Sequence, residues 1–452
     1  MRRFYTLLLY LLLPYIVFHL LWRGRKQPGY LRHVGERFGC YQSAPQDARH
    51  ETQTGRVDKR SASTIARWMR CAYPPYKTAS PQPTIWLHAV SVGETRAAAS
   101  LIEALLQRYP HHRILLTHMT PTGRETGVSL FGARVSRCYL PYDFPWAIRR
   151  FLRHFKPQVG LLMETEIWFN LVAECRAAEV PLLLVNARMS EKSARKFARV
   201  PALTGPSLAG LTRIAAQTGS DAQRLKALGA PSVEIIGNLK FDIAPPPAML
   251  ELGAILRQSF GAARPVFLAA STRDGEEALL LDALNGIAIP DLLIVIVPRH
   301  PQRFAAVAQL IEARGIRFQR RSANQPIQPE TQVVLGDSMG ELFAYYAACD
   351  AAYIGGSILP YGGQNLIEAA CLGKPVLIGA HTYNFTEAAE RAVAEGAAAR
   401  VADGGELAQE LEKLLQDPAR RAAMAQAGLR FSQRHRGATA RLMALIGPHL
   451  DG

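Results

Sequence analysis

The sequence predicts an α/β protein built as two parallel-sheet halves behind a hydrophobic N-terminal segment, and three observations carry that reading. Short apolar runs alternate with helical patterns, a proline-rich stretch divides the alternation in two, and one long uncharged run opens the chain. At 452 residues the chain is about three times a typical domain, long enough for two full cores. Hydrophobic residues at 48% and charged residues at 20% exclude collagen-like, disordered and coiled-coil classes. The six cysteines (Cys40, Cys71, Cys138, Cys175, Cys349, Cys371) lie far apart with no C-x-x-C pair. They read as reduced structural thiols of a cytosolic compartment, not as a zinc site or a disulfide framework.

Phe4 to Trp22 holds no charge apart from a titratable His19, between Arg2 and Arg3 on one side and Arg23, Arg25 and Lys26 on the other. As one helix it covers roughly 28 Å, about a bilayer core. Pro14 puts a kink in its middle, which leaves an in-plane anchor open beside a spanning one. No small-residue cleavage site follows, so the segment reads as a retained anchor over residues 1–25. Arg23, Arg25, Lys26, Arg32 and Arg37 outnumber the two preceding arginines, which orients the rest of the chain to the cytoplasm.

Residues 1–83 carry 14 basic and 4 acidic side chains of the chain's 53 and 37. This concentration beside a hydrophobic segment suits anionic inner-membrane lipids better than nucleic acid. Residues 26–83 read as a basic membrane-proximal linker, poorly ordered from about residue 42.

The first half, 84–242, offers strands at Ile85–Val90, Arg113–Thr117, Val159–Met163, Leu182–Val185, Ile214–Ala216 and Val233–Ile236. Helical patterns at Thr95–Arg108, Ala147–Phe155 and Ser220–Leu228 lie between them. After Ile243-Ala-Pro-Pro-Pro247 the alternation restarts with Val266–Ala270, Leu292–Val297, Val333–Leu335, Ala351–Ile354 and Val376–Ile378, giving a second half over 243–430. Two Rossmann-like domains facing a cleft are expected, with a helical tail, 431–452, that can pack back on the first.

Walker-type and G-x-G-x-x-G loops and H-E-x-x-H are absent. The polar clusters instead fall at the carboxyl ends of expected strands, where open α/β sheets bind ligands. In Trp86-Leu-His-Ala-Val-Ser-Val-Gly-Glu94 a strand ends, Ser91 follows it, Gly93 permits a tight turn and Glu94 opens a helix. Glu94 reads equally as a first-turn acid serving the helix dipole and as a general base. In Thr117-His-Met-Thr-Pro-Thr-Gly-Arg124, Thr120, Thr122 and backbone amides can hold an anion. Glu164 and Glu166 follow a buried strand, and two acids so close call for a cation or a sugar hydroxyl network. Asn186-Ala-Arg188 ends the next strand.

In the second half, Arg299 and His300 follow a strand. The run Gly355-Gly-Ser-Ile-Leu-Pro-Tyr-Gly-Gly-Gln-Asn365 leads to Glu368, and its glycines let backbone N–H groups approach a phosphate at a helix N-terminus. Asn365 and Glu368, three apart, share one side of the first turn, where Glu368 can accept ribose hydroxyls.

Together these motifs resemble the 3-deoxy-D-manno-octulosonic acid (Kdo) transferases, nearly from end to end. Further matching stretches are Arg23-Gly-Arg-Lys26, Gly35-Glu-Arg-Phe-Gly39, Tyr139-Leu-Pro-Tyr-Asp143, Gly237-Asn-Leu-Lys-Phe-Asp242, Ala270-Ser-Thr272 and Gly336-Asp-Ser-Met-Gly-Glu-Leu342. The resemblance implies a GT-B fold and transfer of Kdo from CMP-Kdo to the lipid A precursor, with inversion, at the cytoplasmic face of the bacterial inner membrane, without metal or cofactor. It makes Glu94 the base and Glu164 a second acid of the acceptor-side domain. Ser91, Gly93, Thr120, Thr122 and Arg188 become substrate contacts of that domain. Donor contacts are expected from Asn238, Lys240, Ser271, Arg299, His300, Met339, Gly340, Gly362, Gly363, Gln364, Asn365 and Glu368. The family's loop usually reads Gly-Gly-His-Asn, so Gln364 removes a side chain that can carry charge. A GT-B transferase using a UDP-sugar and a non-catalytic membrane adaptor of the same fold are the competing readings.

Overall fold

The computed structural model describes residues 1–41 and 82–451, so the linker expected over 42–83 lies, but for its last two residues, outside the described residues. The chain forms two compact units, Met1–Asp242 with Gly437–Gly452, and Ile243–Arg436.

The first unit holds a seven-stranded parallel sheet in the order β3-β2-β1-β4-β5-β6-β7. The strands are β1 (Thr84–His88), β2 (Arg113–His118), β3 (Ser136–Tyr139), β4 (Pro157–Met163), β5 (Leu182–Ala187), β6 (Arg213–Ala216) and β7 (Glu234–Ile235). Both faces are covered, which is why the central strands are apolar throughout. Ile85 and Leu87 enter one core with Leu101, Ile102 and Leu105, while Trp86 enters the other with Leu115, Phe151 and Leu162. The expected helix Thr95–Arg108 is two helices, Val92–Ala97 and Ala99–Arg108, meeting at Ala98.

The chain returns to the first unit at Gly437, six residues beyond the expected boundary at 430/431. Asp242 accepts hydrogen bonds from the backbone N–H of Gly437 (2.6 Å) and of Thr439, so it caps the helix Ala438–Ile446. Leu442 and Ile446 of that helix sit in the core beside Leu101 and Leu105.

The second unit repeats the architecture in the order β10-β11-β9-β8-β12-β13-β14. Its strands are β8 (Val266–Thr272), β9 (Leu293–Pro298), β10 (Phe318–Arg320), β11 (Val333–Leu335), β12 (Ala351–Ile354), β13 (Val376–Ile378) and β14 (Ala398–Arg400).

The N-terminal segment departs from the expected single helix. Helices α1 (Arg2–Leu11) and α2 (Leu13–Lys26) are bent by 53° at Leu12, with Pro14 in the first turn of α2 where a missing N–H costs nothing. No single helix among the described residues is long and apolar enough to cross a membrane, but the bent pair meets that test by length and composition. The α1 helix is also tied to the first unit: the Tyr5 hydroxyl donates to Asp143 (2.9 Å) and Thr6 to Asn170 (3.0 Å). Asp143 is buried and also accepts from the N–H groups of Asn170 and Leu171. Burial pushes its carboxyl up to about 6 despite those donors.

Residues after α2 are not all free linker. Short 3₁₀ turns at Pro28–Leu31 and Val34–Phe38 fold against the unit. Arg37, expected among the flanking surface charges, is 1% exposed, with its guanidinium 3.9 Å from the Tyr139 ring centre and bonded to the Met119 carbonyl. Glu36 accepts from Arg124 (2.9 Å) and from the Tyr139 N–H (2.8 Å). The Gly35–Gly39 motif is therefore a clamp on the β3 edge.

Candidate active site

In both sheets the chain runs outward in opposite directions from a central pair of strands, β1 with β4 and β8 with β12. Such reversal points open a crevice at the carboxyl ends of the pair, the place where open α/β sheets take ligands.

At the first crevice, β1 leads into Ser91 and Glu94, and β4 into Glu164. One Glu94 oxygen accepts from the Val90 N–H (2.8 Å) and the other from the Ser91 hydroxyl (3.1 Å). The capping geometry is thus real, yet burial, with Glu164 and Glu166 as neighbouring negative charges, outweighs those donors and pushes the Glu94 carboxyl up to about 8. Glu164 sits at φ 55°, a left-handed conformation rare outside glycine and asparagine, so its placement is strained. Lys240 lies 4.0 Å from Glu164. Burial, with a further push from Glu164, raises Glu166, whose carboxylate accepts from the Trp168 indole (2.8 Å).

Gly93 corrects the expectation of a tight turn. It lies inside the helix Val92–Ala97, and a Cβ there would meet only the Ser91 hydroxyl at 3.9 Å, so it leaves space open at the helix start. Thr120 caps the helix Pro121–Phe131 by accepting from the Gly123 N–H and donates to the Val90 carbonyl (3.2 Å), joining the second cluster to the Glu94 turn. Thr122 is exposed on the first turn of that helix. Arg188 is exposed, and its carbonyl accepts from Thr165 (2.6 Å), tying the end of β5 to the Glu164 loop.

Asn238 and Lys240, expected on the donor side, belong to the first unit. Asn238 accepts from the Lys240 N–H and donates to Gln217, while buried Asn186 accepts from the Leu239 N–H (3.0 Å). That network aims the Lys240 ammonium at Glu164.

At the second crevice, β8 carries Ser271 at φ 57° next to its last residue, and β12 leads into Gly355-Gly356. Three of the four glycine amides are turned inward, against the expectation that they face a phosphate. Gly355 N–H donates to the Ala270 carbonyl (2.8 Å), Gly356 N–H to Glu276 (2.6 Å) and Gly363 N–H to the Gly356 carbonyl (2.6 Å). Glu276, 1% exposed, also accepts from Tyr353 (2.5 Å) and from the Arg273 N–H (2.9 Å), so it locks the two turns together. The helix after the loop is only the four residues Ile367–Ala370, too short for a useful dipole.

Gly362 (φ 90°) is a packing glycine, since a Cβ would lie 2.4 Å from Tyr383. Asn365 accepts from the Ile367 N–H and donates to Glu368 (3.2 Å), fixing that carboxylate. Arg299 N–H bonds the Thr272 carbonyl, next to an exposed His300. Burial, followed by Arg273, Arg299 and Arg303, holds His300 below its ordinary value. Met339 and Gly340 stand exposed after β11.

The chain is similar, at 46% identity over 79% of its length and 86% of the relative's, to the 3-deoxy-D-manno-octulosonic acid transferase of Bordetella pertussis. It belongs to the Kdo transferase family. The Haemophilus influenzae transferase is 34% identical over 100% of this chain and 99% of its own. The family model for 3-deoxy-D-manno-octulosonic-acid transferase (kdotransferase) matches residues 32–243, and that for glycosyl transferases group 1 matches residues 279–431. Among solved structures, a UDP-GlcNAc 2-epimerase from Neisseria meningitidis bound to UDP-GlcNAc superposes with a TM-score of 0.54, over 81% of this chain and 100% of that one. At 16% identity it speaks for the fold alone. The chain is therefore a glycosyltransferase of GT-B class with two parallel-sheet α/β units.

Three polar side chains of this transferase escaped the sequence reading of its sites: Glu276, Arg273 and Gln217. Arg273 directly follows the Ala270-Ser-Thr272 stretch, the one local signal available.

Proposed function

We propose that this transferase moves Kdo from CMP-Kdo to the lipid A precursor, with inversion, at the cytoplasmic face of the bacterial inner membrane. The observation that carries the reading is Glu94, a carboxyl with proton affinity raised to about 8 at the carboxyl end of β1. A base so tuned takes up a proton efficiently near neutral pH. Glu94 removes the proton of a primary hydroxyl on the acceptor's glucosamine disaccharide. The freed oxygen attacks the anomeric carbon of Kdo, and the bond to CMP breaks with its electron pair leaving on the phosphate. One displacement from the face opposite CMP inverts that carbon. Burial above all, with Glu164 and Glu166 nearby, raises the proton affinity of Glu94, and Lys240 stands 4.0 Å from Glu164.

Incubation with CMP-Kdo and tetraacylated lipid A precursor, read by product mass, tests this. Addition of one or more Kdo units is expected, and CMP, not UDP, should compete with the donor. No mass increase where a homologue works defeats the proposal. For the donor side, Glu368→Gln removes the charge that accepts ribose hydroxyls. It should raise the donor KM by about tenfold with a smaller change at saturation. An unchanged KM removes Glu368 from the nucleotide site.

The membrane reading rests on the outward face of the bent pair, where Phe4, Leu7, Leu11, Tyr15 and Phe18 are exposed, beside Arg2, Arg3, Arg23 and Arg25. Deleting the segment would also strip Tyr5 from buried Asp143, so substitution is the cleaner test. Leu11 and Phe18 are 71% and 66% exposed, and changing both to Ser should alter stability by no more than about 0.5 kcal/mol each. Vesicle binding should fall by on the order of tenfold or more. Turnover on bilayer-embedded acceptor should fall more than on detergent-dispersed acceptor. Unchanged vesicle binding counts against the anchor.

A further inference from the structure

We propose that Arg273 binds an anionic group of the sugar-nucleotide donor and supplies there the positive charge that Gln364 cannot carry. The inference rests on the donor reading above. Its starting point is the crevice between β8 and β12, where most of the glycine amides that could cradle an anion are already engaged. Gly355, Gly356, Gly363 and Arg299 all donate their N–H groups within the unit. Recognition of an anion at this place therefore needs side chains as well.

Of the arginines around His300, Arg303 and Arg273 have different fates. Arg303 is neutralised, paired with Glu277 at 3.0 Å and with Asp274. Arg273 forms no ion pair among the described residues. Its guanidinium lies over the Tyr361 ring, 4.8 Å from the ring centre, a cation–π contact that holds it without consuming its charge. One N–H donates to His300 Nε2 at 2.9 Å. A guanidinium has only donors, so Nε2 must be the acceptor, and His300 carries its proton on Nδ1. The pair thus presents a cation and, through His300, a second N–H donor.

Gln364 borders the same spot. A Cβ built on Gly356 would lie 3.3 Å from Arg273 Cγ, 3.4 Å from Gln364 Nε2 and 3.4 Å from Tyr361 Cβ. Arg273 and Gln364 therefore flank one glycine, and the position that usually holds histidine in the loop is next to a permanent cation in this chain. Glu276 serves this arrangement by holding the Arg273 and Gly356 amides with one carboxylate oxygen. The donor offers two anionic groups, the phosphate and the carboxylate of the ulosonic acid, and either matches the planar fork of a guanidinium.

The test compares wild type, Arg273→Gln and Arg273→Lys as full-length enzymes in detergent, measuring CMP affinity by calorimetry together with donor KM and saturated turnover. Arg273→Gln should raise donor KM by about 10- to 100-fold with turnover at saturation largely kept. Arg273→Lys should fall between, because an ammonium keeps the charge but not the fork. Parallel loss of CMP affinity assigns the phosphate, and CMP affinity unchanged beside a raised donor KM assigns the carboxylate. If Arg273→Gln does not fold, Arg273→Lys decides alone by the same KM criterion. A wild-type donor KM in the folded variants overturns the inference, as does a loss confined to saturated turnover. Failure of the wild-type enzyme itself to use CMP-Kdo defeats the donor reading instead.

Discussion

Glu94→Gln should bind CMP normally and lose roughly 10²–10⁴-fold in the chemical step, the range of general-base catalysis. The substitution is clean because an amide satisfies both partners: its oxygen accepts from the Val90 N–H and its nitrogen donates to the Ser91 hydroxyl. Only the proton acceptor is lost. With the Glu94 carboxyl at about 8, kcat/KM of the wild type should fall about tenfold per pH unit below that value and level off above it. Stability gives a second readout with a definite sign. The carboxyl is raised in the fold from an ordinary 4.5 to about 8, so its favourable contribution is full below 4.5 and is lost as pH rises through 8. Glu94→Gln, which does not titrate, should therefore gain on the wild type in thermal midpoint between pH 5 and 9. A residue serving only the helix dipole predicts the reverse, a loss of roughly 0.3–1 kcal/mol on removing its charge. Near-normal turnover in Glu94→Gln would mean the base is misassigned, and Glu164 becomes the next candidate.

Gly355→Ala should unfold the second unit well before the first. A Cβ there would lie 2.3 Å from the Ser271 carbonyl oxygen and 2.7 Å from Thr272 Cα, both backbone atoms of the neighbouring central strand. No rotamer change relieves that overlap, so β8 and β12 must separate, at about 3 kcal/mol or more. For a unit of this size that is a fall of roughly 6–12 °C in melting temperature, and CMP binding should weaken with it. Gly340→Ala is the control: φ is 86° but nothing lies within 4 Å of its Cβ, leaving only a conformational cost of about 1–2 kcal/mol. Equal melting of the two variants would show that the close approach of β8 and β12 is not what demands glycine.

Legibility in the sequence followed burial. Strands β1, β4, β5, β8 and β9 are flanked on both sides and covered on both faces, so each had to be an apolar run, and each was found within two residues. The strands missed, β3, β10 and β14, are all edge strands. One side of each is open, which removes the demand for a continuous apolar run, and Ser136-Arg-Cys-Tyr139 carries no such signal. The edge strand β7 was foreseen but is only two residues long. Glu94 and Glu164 were legible as acids at strand ends because position along a strand is a local property.

The sequence by itself determined the two α/β halves, the break at Ile243–Pro247, the family, and the acids and glycines that line the carboxyl ends of the strands. Those features are written in local periodicity and spacing. Tertiary structure alone decided which groups are available to a ligand. It engages Gly356 N–H with Glu276, neutralises Arg303 while leaving Arg273 without an ion pair among the described residues, turns Lys240 to Glu164, buries Arg37 and bends the N-terminal segment. The physical reason is that a hydrogen-bond donor or a charge acts on a substrate only when no nearer partner takes it. Those partners come from segments tens of residues away, which periodicity does not record.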